Sequence, residues 1–188
     1  FVRQRQMCIR DSLYTLSAGG NLAVVAGTAI TLVRTSTNTN SGTTTYTAQN
    51  GNFDMATTAG IVSAGATTLT ASADVTADAI NSVGALIVTA GGKIDSKDNV
   101  TTTAGLVDIN ANGGAFVMAL GTKVTAAGPM TIDATADLIA ISLAAAGDMT
   151  LTGGTDVYIG TEATTTAGGN FVVDAPAGML LTLSLIHI

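Results

Sequence analysis

The sequence predicts an all-β chain that folds as a right-handed parallel β-helix, a β-solenoid of about eight coils with roughly 21 residues in each. Three observations support this: glycines recur at a regular spacing, apolar and polar residues alternate after each glycine, and a small residue stands at a fixed distance from it. A repeat this short, with two or three short strands, cannot bury its apolar face alone, so neighbouring repeats must stack into one continuous core. Right-handed coiling is the usual sense of crossover between parallel strands.

Eight glycines open similar heptads, and successive ones are separated by 22, 23, 19, 21, 23, 19 and 22 residues. These anchor glycines are Gly20, Gly42, Gly65, Gly84, Gly105, Gly128, Gly147 and Gly169. We expect each of them to supply a turn conformation that a Cβ atom would resist. The alternative all-β fold, an antiparallel sandwich, would instead require a hairpin turn after every 8–12 residues.

The residues after each anchor glycine form consistent columns when the repeats are aligned. At the second and fourth positions, fourteen of the sixteen residues are apolar, the exceptions being Thr44 and Thr67. The sixth position is always Ala or Gly, which suits a corner where the chain bends. Such alternation indicates a strand with one buried face. A second apolar position follows at ten or eleven residues: Ile30, Phe53, Val75, Ile94, Phe116, Leu138, Val157 and Met179.

The two ends of the chain differ from the repeats and contain its only Cys, Cys8, and its only His, His187. Residues 7–12 can be encoded by ATG TGT ATA AGA GAC AGN, and the reverse complement of that DNA, in another frame, encodes residues 183–188. This DNA resembles the transposon mosaic end used as a sequencing adapter. We therefore interpret residues 1–12 and 183–188 as adapter-derived and residues 13–182 as the β-solenoid domain, a metagenomic fragment of a larger protein.

The composition of residues 13–182 limits the functions to consider. This segment has four basic and twelve acidic residues and lacks Cys and His. An acidic surface repels nucleic acid and anionic membranes. Disulfides, thiol chemistry, a zinc site and an imidazole-based catalytic triad are not expected without Cys or His. No apolar run is long enough to predict a membrane span.

The openings of several repeats, "AGGNL", "TTAGL", "AAGDMTL" and "TAGGNF", resemble the repeats of filamentous-haemagglutinin-type exoproteins. These are long β-helical adhesins that Gram-negative bacteria secrete by a two-partner route. The resemblance extends over nearly all of residues 13–182, but the family's secretion domain is not recognisable in this sequence. It implies a structural or adhesive segment located outside the cell or on the outer-membrane surface.

Two polar features are candidates for binding. The stretch "RTSTNTNSGTTT" (34–45) is either a binding protrusion or, as we favour, a solvated loop and turn. Outward threonine pairs occur at Thr45/Thr47, Thr68/Thr70 and Thr150/Thr152, as in ice-binding solenoids. The array is interrupted at three repeats by Ile87/Thr89, Asp108/Asn110 and Thr131/Asp133, and threonine is in any case a good strand residue.

Acidic residues are the remaining candidates. Asp74, Asp137 and Asp156 each lie nine residues after an anchor glycine, so Asp137 and Asp156 are expected to stack on adjacent coils, as a solvated pair or a Ca²⁺ site. Asp108 and Asp133 are expected to face outward on successive coils, where paired carboxylates could cleave glycosides. Asn99-Val100-Thr101 matches a glycosylation acceptor sequence.

From these observations we expect a structural and adhesive segment of a haemagglutinin-like exoprotein and not an enzyme. No residue is assigned to catalysis, to a cofactor or to a metal. The expected partners are protein or glycan ligands on host or neighbouring cells, without nucleic acid or membrane insertion, and exposed end coils favour end-to-end self-association. The alternatives are a fragment of a carbohydrate-active β-helix enzyme and an ice-binding solenoid.

Overall fold

A computed structural model describes residues 11–13, 16–165 and 169–181 of the chain. These residues contain 23 strands and no helix, and every strand pairing is parallel. The chain winds through three faces in turn, with one strand on each face per coil, and so forms a β-solenoid. The predicted fold class is confirmed, and parallel pairing excludes the antiparallel sandwich. Cys8 and His187 lie outside the described residues.

The first face is an eight-stranded sheet made of the strands that follow the anchor glycines. Its strands are β3 (Leu22–Ala26), β6 (Thr44–Ala48), β9 (Thr67–Ala71), β12 (Leu86–Ala90), β15 (Val107–Ala111), β18 (Met130–Ala134), β20 (Met149–Gly153) and β22 (Phe171–Asp174). Each pairs only with the equivalent strand of the neighbouring coils, and between the first and the last of the eight the chain completes about seven turns.

The second face contains the second apolar position of each repeat. Its strands are β1 (Asp11–Leu13), β4 (Ile30–Leu32), β7 (Phe53–Met55), β10 (Val75–Ala77), β13 (Ile94–Ser96), β16 (Phe116–Met118), the first parts of β19 (Leu138–Ala145) and β21 (Asp156–Thr165), and β23 (Gly178–Leu181). All eight predicted residues of this column stand in register. Asp11 and Ser12 of β1, which we interpret as adapter-derived, pair with Ile30 and Thr31 of β4.

The third face completes each coil. Its strands are β2 (Leu16–Ala18), β5 (Ser36–Asn38), β8 (Gly60–Ser63), β11 (Ala79–Ser82), β14 (Val100–Thr102), β17 (Val124–Ala126) and the later parts of β19 and β21. In the last coils the corner between the second and third faces is absent, because β19 and β21 run through it with a register shift near Ala140. The two faces therefore form one continuous sheet.

The core lies between the three faces and consists of superimposed columns of apolar side chains. Val88 pairs with Ile109, and Ile109 pairs with Ile132, so these three residues stack in register and are buried. The two 23-residue coils contain the largest buried side chains, Tyr46 and Phe53 in one and Phe116 in the other. The rings of Tyr46 and Phe53 pack with their centroids 5.3 Å apart, at an angle of 55°.

The column of small residues marks the corner between the first and second faces, as predicted. Ala26, Ala48, Ala71, Ala90, Ala111 and Ala134 are all buried, and a bend or turn follows each of them. In the two longest coils this corner has one extra residue, which the chain accommodates in the turns after Ala48 and Ala111.

The prediction that the anchor glycines supply a special turn conformation is wrong. Among the described residues only Gly121 is a glycine with a positive φ, so the anchor glycines are not needed for a left-handed turn. Five of them are needed because successive coils approach closely at the corner before the first face, where a Cβ would lie under 3.0 Å from backbone atoms of the preceding coil: Gly42, Gly65, Gly84, Gly105 and Gly147. A Cβ on Gly105 would lie 2.3 Å from the backbone nitrogen of Ala85, and one on Gly65 would lie 2.3 Å from the carbonyl oxygen of Gly42.

Replacing Gly105 with Ala should therefore destabilise the solenoid, because the contact is with backbone atoms that cannot rotate away. We expect the free energy of unfolding to fall by about 1–3 kcal/mol, as in other overpacked sites. Gly27→Ala is the matched control: a Cβ there meets no atom within 4 Å, and its φ is not positive. Urea titration followed by circular dichroism measures both variants, and equal effects would contradict the close-approach explanation.

Replacing Val157 with Asp tests the inward assignment of the second apolar column. Val157 is fully buried, so the new carboxylate would have no partner in the core and should cost roughly 3–5 kcal/mol. Thr150→Asp is the control, because Thr150 lies on the outward side of the same coil, between Thr131 and Val172. If thermal melting and circular dichroism of Val157→Asp matched those of the control, the assignment would be wrong.

Candidate functional site

The outward residues of the second face change character along the rod. In the first coils this column is polar: Thr31, Asp54, Thr76 and Asp95 follow one another in register. The next four residues of the same column are apolar or aromatic, and we call them the apolar stripe: Val117, Ile139, Tyr158 and Leu180. Apolar residues that succeed one another on an outward column form a continuous surface feature, which distinguishes them from singly exposed residues.

A groove with a volume of about 500 Å³ lies along the last three residues of the stripe. Ile139, Tyr158 and Leu180 line it, together with Asp137, Asp156 and Met179. Ile139 and Tyr158 are half-buried, whereas Leu180 is 59% exposed. We call this feature the second-face groove.

Asp137 and Asp156 directly precede Leu138 and Val157, which pair in register on adjacent coils, and both carboxylates line the second-face groove. The Asp137 carboxylate accepts a hydrogen bond from the Thr155 hydroxyl. The Asp156 carboxylate is exposed and has no hydrogen-bond partner within the described part of the chain. No group of three or more His, Cys, Asp or Glu side chains suited to a metal ion occurs among the described residues.

No known protein family, curated protein or solved structure matches this chain. Its function is therefore inferred from the arrangement of its own residues.

The outward threonines of the first face stand in the predicted register. Thr45 pairs with Thr68 and Thr47 with Thr70, and at the other end Thr131 pairs with Thr150. Between these groups the columns contain Ile87, Asp108, Asn110 and Asp133. The hydroxyls therefore do not form the one uninterrupted array that the ice-binding alternative requires.

Asp74 lies in the same column as Asp137, but Lys93 and Ala115 separate the two along the rod. The Asp74 carboxylate accepts a hydrogen bond of 3.0 Å from the backbone N–H of Lys93, the next residue of that column. Other side chains that precede strands bind the next coil in the same way, and their acceptors are on Asn21, Asn52, Asn99 and Asp148. These contacts give Asp74 a structural role in holding adjacent coils together.

Asp108 and Asp133 lie on the outward side of the first face, in different columns of adjacent strands. Asp108 is opposite Thr131, and Asp133 is opposite Asn110. The Asn110 amide donates a hydrogen bond of 2.9 Å to the Asp108 carboxylate. The two carboxylates therefore occupy a sheet surface, outside the second-face groove.

Residues 34–35 and 39–43 form bends and loops, as favoured from the sequence, but that interpretation is wrong for the strand residues of the stretch. Ser36 and Asn38 are buried inward residues of β5, and Thr44 is a buried residue of β6. Most of their polar groups are paired inside the solenoid: the Asn38 amide nitrogen donates to the Thr44 hydroxyl at 3.1 Å, and the Thr44 and Ser63 hydroxyls are 3.0 Å apart. Buried polar groups are tolerated when they are hydrogen-bonded in this way. The exception is Asn38 Oδ1, a buried acceptor that has no hydrogen-bond partner among the described residues.

A second groove, of about 410 Å³, lies on the third face where one coil has a short corner. Only Asp78 separates β10 from β11, whereas longer corners project on the neighbouring coils. The rim of this groove includes Thr58, which has a φ of 74°. The Thr58 N–H donates a hydrogen bond of 2.7 Å to the Asp78 carboxylate. Asn99 and Thr101 of the glycosylation sequence also line this groove, and the Asn99 side-chain oxygen accepts a hydrogen bond from the Lys123 backbone.

The apolar stripe was missed in the sequence because its residues are 19 or 22 positions apart and stand among ordinary strand residues. A usable signal existed: each lies directly after a residue of the second apolar column, as Tyr158 follows Val157 and Leu180 follows Met179. Listing these following residues in order shows the change from polar to apolar.

Stability at alkaline pH should depend on the buried phenol of Tyr46. Burial raises the pKa of Tyr46 from 10.0 to about 12, while its hydrogen bond to Ser36 acts in the opposite direction. Because the folded-state pKa is the higher one, the stabilisation is fully present below pH 10 and is lost as the pH rises to about 12. In that window the free energy of unfolding should fall by up to about 1.4 kcal/mol per pH unit.

Tyr46→Phe is the comparison for this prediction, since the other titratable groups are common to both proteins. Urea midpoints of the two proteins between pH 9 and 11.5 should converge as the wild-type phenol loses its advantage. Parallel pH profiles for wild type and Tyr46→Phe would contradict the assignment.

Proposed function

We propose that this chain is a structural and adhesive repeat segment of a large, secreted or surface-exposed bacterial exoprotein of the haemagglutinin-like type. The observation that carries the proposal is the register of the first face, where eight strands pair with no bulge or shift. Stacked coils of this kind form a stiff, elongated body whose stability grows with nearest-neighbour contacts. Such a body holds binding surfaces at a distance from the cell that displays it.

The surface of the rod supports an extracellular or outer-membrane location in a Gram-negative bacterium. The outward columns are rich in Thr, Asn and Asp, and acidic residues outnumber basic ones, which favours solubility of a long repetitive surface. The described part of the chain contains no helix with the length and hydrophobicity of a membrane span. The partners we propose are protein or glycan ligands on host or neighbouring cells.

The last described coil also supports end-to-end self-association. Strands β22 and β23 each pair on one edge only among the described residues. Met179, which belongs to the inward column, is 53% exposed there. Unpaired edges and exposed inward residues favour pairing with another chain.

Export and adhesion test the proposed function. The chain would be placed after a two-partner secretion domain and expressed with the matching outer-membrane transporter in a Gram-negative host. We expect it to reach the surface, where antibody labels it on intact cells, and to increase attachment to glycan- or protein-coated surfaces over cells displaying the secretion domain alone. Retention inside the cell, or display with no gain in attachment on any surface, would overturn the proposal.

A further inference from the structure

We propose that the second-face groove binds a cationic segment of a partner protein, with arginine or lysine side chains laid along the apolar stripe. The proposal rests on the proposed function in one respect, namely that the sides of the rod face partner molecules. It goes further by naming the chemistry of one partner and the residues that recognise it.

The groove is lined mostly by hydrogen-bond acceptors. Its side chains offer the carboxylate oxygens of Asp137 and Asp156, and the nearby Thr155 hydroxyl already donates to Asp137. The remaining donor is the phenol of Tyr158. Ammonium and guanidinium groups donate hydrogen bonds and accept none, so they match a lining made mostly of acceptors.

The apolar stripe lies beside these carboxylates and suits the stems of basic side chains. Arginine and lysine have long aliphatic stems that cover apolar surface while their charged ends reach polar groups. Ile139 and Leu180 provide that surface on either side of Tyr158, in register on three adjacent coils. The Tyr158 ring also provides an aromatic face for a cation.

The charge of this part of the rod also favours a cation. Residues 124–182 contain six acidic residues and no Lys or Arg, so this segment supplies no cation of its own to the groove. The basic residues of the solenoid, Arg34, Lys93, Lys97 and Lys123, all precede it in the sequence. An acidic region without internal counter-ions attracts cationic partners and speeds their association.

A saccharide is the competing occupant, and the groove fits it less well. Sugar hydroxyls and ring oxygens both donate and accept, so a sugar-binding site needs donors as well as acceptors. The phenol of Tyr158 would have to supply nearly all of them here. A peptide added as an extra strand is also disfavoured, because β19 and β21 are already paired along both edges at the centre of the groove.

The test is a nuclear magnetic resonance titration of the full chain with three probes: a capped tetra-arginine peptide, the same peptide with citrulline in place of arginine, and maltotriose. We expect the arginine peptide to shift the backbone amides of Ile139, Asp156 and Tyr158, and added salt to weaken it. The neutral citrulline peptide should bind much more weakly, since it keeps the shape but loses the charge.

Variants assign the interaction to the groove. Asp156→Asn removes one exposed charge without changing the side-chain shape, and we expect it to weaken binding about threefold to tenfold. Tyr158→Leu keeps an apolar side chain but removes the ring, and we expect a loss of about threefold to fivefold. Asp54→Asn is the matched control, because it removes the same charge from the outward side of the second face far from the groove; we expect a change below about twofold.

Three results would overturn the inference. Equal effects of Asp156→Asn and Asp54→Asn would show attraction to overall charge alone. Shifts at Tyr158 with maltotriose but not with the arginine peptide would identify a saccharide site instead. No shift with any probe, in a chain whose spectrum shows it to be folded, would mean that the groove is not a binding site. None of these results bears on export or attachment, so the proposed function would stand or fall separately.

Discussion

The structure depends on one constraint, the in-register pairing of parallel strands from coil to coil. Each residue stands about 4.8 Å from its counterpart in the next coil, so every column must be filled by residues that tolerate their own neighbours. Inside, the columns are apolar and close-packed. At the corner before the first face the coils approach so closely that only glycine fits, as at Gly65 and Gly105. The sequence repeats because every coil must meet this same constraint.

The exceptions inside the core follow the same constraint. Thr44 and Thr67 interrupt an otherwise apolar column, yet they are adjacent in register and each meets a polar residue from the third face. Thr44 contacts the Asn38 amide and the Ser63 hydroxyl, and the Thr67 hydroxyl donates to Ser82 at 3.1 Å. The polar groups occur on consecutive coils because an isolated one would lack a partner and would carry the full cost of desolvation.

The sequence predicted the first two faces and their register because the strands of each face follow the anchor glycines at a nearly constant number of residues. It did not locate the third face, for two physical reasons. Inward residues there include Ser36, Asn38, Ser63 and Ser82, which remove the apolar signal. The corner before this face also varies in length, from Asp78 alone to the five residues 119–123, so no fixed spacing identifies the strand. Polar partners and corner lengths are properties of neighbouring coils, which one repeat does not encode.

The surface is less predictable than the core, although the same ladder builds both. Inward residues must be apolar or hydrogen-bonded within the core for the chain to fold, whereas outward residues are free to vary, so an outward column carries no pattern that folding requires. The stripe through Ile139, Tyr158 and Leu180 is therefore informative, because burial of the core does not demand apolar residues at these positions. One change per coil suffices to extend or interrupt such a stripe. A solenoid can thus acquire a binding surface along its side while the register that stabilises it stays intact.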